Sequence, residues 1–196
     1  MQRSLPALIA LILLFSTVGW SADFQKGLEA YNNKDYRTAL RELKPFAEEG
    51  YVYAQYYLGL IYANGASVPK NDKTALKWLT LAAKQSPEIS YKLGLMYATG
   101  KKVPQNDRRA LKWYTRAAEQ GDADAQYNLG VMYRDGEGVP QSYVYAHMWF
   151  NIAASQGRRD AAELRDLAVK EMSPSKIEKA RELASECVKK NFKGCD

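Results

Sequence analysis

The chain of 196 residues contains one histidine, His147, and two cysteines, Cys187 and Cys195. A single histidine excludes a His-rich metal centre, and two cysteines cannot frame a disulfide-dense miniprotein. No G-x-S-x-G elbow, no phosphate-binding P-loop and no dinucleotide fingerprint occurs. The DGEG run from Asp135 to Gly138 lacks the spaced acidic ligands of a calcium loop and reads as a turn. Charge of one sign is scarce as well. Lysine and arginine total 28 against 22 acids, a net charge of +6, and that excess is too diffuse to mark a nucleic-acid protein. What is present is a soluble globular composition, 46% hydrophobic and 26% charged, of a length that suits one domain or one stack of small units.

Residues 1–22 read MQRSLPALIALILLFSTVGWSA, with Arg3 the only charge. The apolar run Leu5 to Phe15 is too short to span a bilayer, which takes about 20 residues. A positive start, a short apolar centre and small residues near the end fit a secretory signal peptide. Gly19 and Ser21 place the cut after Ser21, with Ala22 the neighbouring choice. The alternative is a retained N-terminal anchor. No cysteine lies near the cut, which leaves a lipoprotein anchor unsupported. The expected compartment is the periplasm or the exterior.

The remainder repeats itself. AQYYLGLIYANGASVPKNDKTALKWLTLAAKQ from Ala54 returns as ISYKLGLMYATGKKVPQNDRRALKWYTRAAEQ from Ile89 and as AQYNLGVMYRDGEGVPQSYVYAHMWFNIAASQ from Ala125. Leu58-Gly59, Val68-Pro69, Trp78 and Ala82-Ala83 recur at offsets of 35 and then 36. A fixed period of that size signals a helical solenoid. In each unit, Ala54, Leu58 and Tyr62 share one face of a first helix. Gly59 costs about 1 kcal/mol of helix propensity, so its recurrence implies a close approach by the partner helix's backbone. Gly65, Gly100 and Gly136 suit a left-handed C-terminal cap. The valine of each Val-Pro pair is expected to be buried. Asn71, Asn106 and Ser142 suit N-caps. Ala75, Trp78 and Ala82 then share a face of the second helix.

The units are expected at 51–86, 87–122 and 123–158. Residues 23–50 read as a degenerate first unit in which Pro45 kinks or ends the second helix. Residues 159–196 read as a capping segment, with helices over Asp160–Lys170 and from Ser173-Pro174 to about Asn191. Ser173 would be the N-cap and Pro174 the first helical residue. An unbroken helix would separate Cys187 from Cys195 by about 12 Å, too far for a bond. A disulfide therefore requires the helix to stop first, with Gly194 allowing the return. Export to an oxidising compartment favours that pairing.

The pattern A-x-x-x-L-G-x-x-Y-x-x-G, V-P, A-x-x-W, A-A over Tyr53–Gly157 resembles the Sel-one-like repeat (SLR) family of the tetratricopeptide superfamily. The resemblance implies an all-α, right-handed α-α superhelical solenoid of antiparallel helix pairs. It implies adaptor or scaffold work without catalysis, cofactor or metal. The tail also resembles those of some exported relatives, which supports a Cys187–Cys195 pair over two free thiols. Cysteine-rich relatives carry one disulfide per repeat, and this chain lacks those cysteines, so β-lactam binding or hydrolysis is the least favoured reading. In the superfamily, first-helix residues outside the core line the concave surface. By register these are Tyr53, Tyr56, Leu60 and Asn64, then Glu88, Tyr91, Leu95 and Thr99, then Asp124, Tyr127, Val131 and Arg134. Tyr56, Tyr91 and Tyr127 form a ladder, either as an interface for a protein or peptide in the cell envelope or as packing between units. Both readings stay open. Lys101, Lys102, Arg108 and Arg109, with Lys70, Lys73, Lys77 and Lys112, form either a basic ridge for an acidic protein, a lipid headgroup or an anionic polysaccharide such as an envelope glycan or peptidoglycan, or a solvated polar face. His147, without a nucleophile or carboxylate motif, reads as a surface or boundary side chain.

Overall fold

The computed structural model describes residues 17–65 and 67–195, with side chains from residue 24 onward. The apolar run Leu5–Phe15 lies outside the described residues, and the expected cut near Ser21 or Ala22 falls within the first helix. Ten helices follow one another: α1 (Thr17–Asn32), α2 (Tyr36–Glu48), α3 (Val52–Asn64), α4 (Asp72–Ala83), α5 (Pro87–Thr99), α6 (Asp107–Ala118), α7 (Ala123–Asp135), α8 (Tyr143–Ser155), α9 (Arg159–Val169) and α10 (Pro174–Lys189). There is no strand among the described residues. The first eight helices pair as hairpins, and each second helix also packs on the first helix of the next unit. This is the expected all-α solenoid.

Local chemistry sets the hairpin boundaries. The side chains of Asn71 and Asn106 accept the backbone N–H groups of Thr74 and Arg109, each at 2.9 Å, and Ser142 accepts that of Tyr145 at 3.4 Å. Asp35 does the same for Thr38 at 3.2 Å, so the degenerate unit keeps the cap. Each bond satisfies an amide that has no partner within its own helix. Gly65, Gly100 and Gly136 end the first helices with φ of 67°, 67° and 75°, the left-handed conformation that glycine adopts without steric cost. Of the Val-Pro pairs, only Val103 is fully buried; Val68 and Val139 are half-buried.

The mid-helix glycines answer to side chains more than to backbone. A Cβ on Gly59 would lie 2.6 Å from Leu79 Cγ, one on Gly94 would lie 2.7 Å from the Tyr114 ring, and one on Gly130 would lie 2.5 Å from the Phe150 ring. Only at Gly59 does backbone come close, with Leu79 N at 3.1 Å. Leu79, Tyr114 and Phe150 occupy the same position of successive second helices, one residue after the tryptophans. Gly27 faces Leu43 at 2.7 Å in the degenerate unit. Four glycines thus form four sockets for four large buried side chains.

Successive units are joined by a buried polar contact. Gln55 donates to the Ala47 carbonyl at 3.1 Å, Ser90 to that of Ala83, and Gln126 to that of Ala118 at 3.3 Å. Each adds a bond to a carbonyl in the last turn of the preceding second helix; those of Ala47 and Ala118 also accept the Gly50 and Gly121 N–H groups. Pro45 does not end α2, which continues to Glu48. Its missing amide leaves only one internal bond unmade, and the ring lies on the exposed side. In the same helix, Glu42 stands where later units carry tryptophan and pairs with Lys26 at 3.0 Å and Arg41 at 2.7 Å.

The stack ends by turning back. α9 packs on α8 as the next first helix, whereas α10 lies against α8. α10 stops at Lys189, two residues before the expected Asn191, and Ser173 makes no side-chain capping bond. Cys187 and Cys195 are disulfide-bonded with Cα atoms 5.2 Å apart. The tail between them returns over the α6–α7 turn. Gly194 N donates to Glu119 at 3.3 Å, and the Phe192 ring comes within 3.6 Å of where a Gly121 Cβ would stand.

Two outcomes follow. Gly130→Ala gains about 1 kcal/mol of helix propensity but forces the Phe150 ring from a fully buried site. Net destabilisation of about 1–3 kcal/mol is expected in chemical denaturation; a stabilised variant would refute the socket. Replacing both Cys187 and Cys195 by alanine is expected to lower unfolding stability by about 2–3 kcal/mol, as closure of so short a loop allows.

Candidate functional site

The first-helix face of units one to three carries the tyrosines expected by register and their polar neighbours. Tyr53 is 49% exposed and its hydroxyl donates to Glu88 at 3.1 Å. Lys92 donates to the same carboxylate at 2.6 Å and stands 5.3 Å from the centre of the Tyr56 ring. The bonds from Lys92, then Tyr53, hold the Glu88 carboxyl below its ordinary value, and the Tyr53 phenol is raised in turn by Glu88. Burial raises the Tyr56 phenol, opposed by the Lys92 charge. These four side chains link α3 to α5 at the surface.

A second cluster lies two units further along. Arg158, at the start of α9, pairs with Asp124, and with Asp160 at 2.8 Å. Its guanidinium lies 4.4 Å from the centre of the Tyr127 ring, within cation–π range. Burial, then the Asp160 charge, raises the Tyr127 phenol. Both clusters place a cation on a tyrosine of the ladder.

The ladder combines the two readings left open above. Tyr56, Tyr91 and Tyr127 are all half-buried. Tyr91 packs on Tyr114 with ring centres 5.9 Å apart, and Tyr127 packs on Phe150 at the same distance. One side of the Tyr91 and Tyr127 rings therefore meets the side chain that fills a glycine socket, whereas Tyr56 packs on Tyr57 with ring centres 5.6 Å apart. Leu95, one turn beyond Tyr91, is 42% exposed. Asn64, Thr99 and Asp124 are exposed and Val131 is half-buried. Leu60 does not belong to this surface: it is 5% exposed and packs in the core of the next unit. Arg134 is one residue out of register with Asn64 and Thr99, whose equivalent is Asp135, and it bonds Asp135 at 2.6 and 2.7 Å.

Lys101, Lys102, Arg108 and Arg109 are all exposed. Lys101 and Lys102 sit in the α5–α6 loop, Arg108 on the outer side of α6, and Arg109 against Tyr97. The Arg109 guanidinium is 5.5 Å from the Tyr97 ring centre and donates to its hydroxyl at 3.3 Å. Lys92 and Arg158 were missed by the sequence reading. The i,i+4 spacing of Glu88 and Lys92 was a usable signal for the first; no local pattern marked the second. Among the described residues, no group of three or more metal-ligating side chains is assembled, and no helix is long and apolar enough to cross a membrane.

The family model of the Sel1 repeat matches residues 52–87, 90–122 and 123–157, more than half of the chain. A Sel1 repeat protein from Oxalobacter formigenes is 39% identical and superposes with a TM-score of 0.54, over 65% of this chain and 97% of that one. The protein c5321, a protective antigen present in uropathogenic Escherichia coli strains and displaying an SLR fold, is 26% identical with a TM-score of 0.54. That match covers 90% of this chain but only 47% of the antigen, so the chain spans about half of its length. No curated protein matches.

His147 is not at the surface. It is 2% exposed, and its Nδ1 has no hydrogen-bond partner. It occupies the position held by Leu40, Leu76 and Leu111 in the other units, and here α9 and α10 cover α8. Burial, then the Arg165 and Arg181 charges, lowers its pKa against a smaller opposing effect of Asp166. The unfolded chain therefore takes up this proton first, and stability is lost as pH falls below the ordinary value of 6.5. His147→Leu is expected to flatten the fall in melting temperature between about pH 6.5 and 5. An unchanged slope would place the proton elsewhere.

Proposed function

Because the chain belongs to the Sel1 repeat family, whose members are generally non-catalytic protein-interaction scaffolds, we propose that it is an exported binding module of the periplasm or cell exterior, without enzymatic activity. Its partner is a protein or peptide of the cell envelope, held on the concave first-helix face. The observation that carries this reading is the row Tyr53, Tyr56, Tyr91 and Tyr127, in which Tyr91 and Tyr127 are backed by core aromatics, Tyr56 and Tyr127 are flanked by Lys92 and Arg158, and Tyr53 is held by Glu88. Rings already fixed in place lose little entropy on binding and offer both apolar area and a hydroxyl. Exposed Leu95 extends the apolar part of that surface.

The leader-like N-terminus and the Cys187–Cys195 bond support export, since such bonds persist in oxidising compartments. Tyr91→Ala with Tyr127→Ala is expected to reduce recovery of the partner from envelope extract by about tenfold or more while circular dichroism stays helical. Undiminished recovery by the folded double variant would reject the concave face as the binding surface.

A further inference from the structure

The second helices carry a pattern of their own on the opposite side of the hairpins. Counted from the N-caps Asp35, Asn71, Asn106 and Ser142, the second and sixth residues onward are Arg37 and Arg41, Lys73 and Lys77, Arg108 and Lys112, then Val144 and Met148. These positions are one helical turn apart and share a face. All six cations are exposed, whereas Val144 is half-buried and Met148 fully buried. The change coincides with α10, which packs on α8 and on no other second helix to a comparable extent. Where a chain segment lies along a second helix, these positions are apolar; where the helix is open, every one is cationic. Of the six, Arg41 alone is ion-paired among the described residues, with Glu42.

Leucines run beside the cations. Leu40, Leu76 and Leu111, five residues after each cap, are half-buried. On α6, Leu111 lines an open groove of about 410 Å³ with Arg108, Lys112 and Arg116. A ligand complementary to this face must therefore bring both negative charge and apolar side chains. That combination is characteristic of a polypeptide. Sugars would call for exposed aromatic rings beside the cations, and Trp78 and Trp113 are 9% and 7% exposed. A lipid surface would call for large apolar side chains to insert, and none of the exposed ones on the described residues lies on α2, α4 or α6.

We propose that the outer face of α2, α4 and α6 is a second interaction surface, which binds an acidic polypeptide segment. Its carboxylates meet Arg37, Arg41, Lys73, Lys77, Arg108 and Lys112, and its apolar residues meet the leucines between them. α10 provides the precedent for a segment seated on this side of a second helix. The assignment is independent of the first-helix face.

The test uses the chain without its leader and a fluorescein-labelled peptide of about 15 glutamates and leucines, with leucine at every fourth position. Fluorescence anisotropy is expected to show binding that weakens as sodium chloride rises. It should weaken by about tenfold or more in the K73E/K77E/R108E/K112E variant and stay unchanged in Tyr91→Ala/Tyr127→Ala. A matching peptide with serine for leucine should bind more weakly. The proposal is overturned if the charge-reversed protein binds equally, if the serine peptide binds as well as the leucine one, or if phosphatidylglycerol vesicles or dextran sulfate bind more tightly than the peptide. Should the charge-reversed variant lose its helical spectrum, K73Q/K77Q/R108Q/K112Q answers the same question with a milder change.

Discussion

The seating of one large side chain in the notch left by a glycine sets the geometry of every hairpin. Leu43, Leu79, Tyr114 and Phe150 press onto Gly27, Gly59, Gly94 and Gly130 so closely that no Cβ fits between them. A helix tolerates a central glycine at a cost of about 1 kcal/mol, and burial of an aromatic or leucine side chain returns more than that. The notch fixes how near the two helices of a pair can come. It also fixes the backing for the ladder, since Tyr91 and Tyr127 rest on Tyr114 and Phe150. Core and surface therefore share one set of contacts.

That sharing explains why two sides of one solenoid can serve recognition differently. On the first helices, rings are backed by the core and flanked by cations already committed to carboxylates, as Lys92 is to Glu88 and Arg158 to Asp124 and Asp160. Charge there is largely neutralised in place, and shape and ring faces are what remain on offer. On the outer face of α2, α4 and α6, Arg37, Lys73, Lys77, Arg108 and Lys112 make no ion pair among the described residues, although Lys77 lies 5.0 Å from the Trp78 ring centre, and charge is what remains. A stack of units repeats each local choice at a regular interval, so a single substitution pattern becomes an extended surface.

Much of this architecture was legible in the residues alone, for reasons of range. The N-caps at Asn71, Asn106 and Ser142 and the left-handed glycines depend on three or four neighbouring residues, and short-range chemistry is written in short-range sequence. The errors came where a distant element decides. Leu60 lies on the face of α3 that the next unit covers. His147 is buried because α9 and α10 close over α8, although its own helix offers no sign of it. Pro45 does not end α2, because the bond it forfeits lies on the open side. Gln55, Ser90 and Gln126 carry no local mark of their role, since each bonds a carbonyl in the last turn of the preceding helix.

The returning tail gives the molecule two unlike ends. In a simple stack each unit touches only its neighbours, and either end can fray without disturbing the other. Here the loop closed by Cys187 and Cys195 reaches back to Glu119 and Gly121, so the last helix is stitched to units two and three at once. Among the described residues the first hairpin has no such stitch, and it carries Glu42 where its successors bury an indole. Unravelling under heat or tension is accordingly expected to begin at the amino-terminal hairpin and to advance toward the stitched end, like a zip with its stop at one side only.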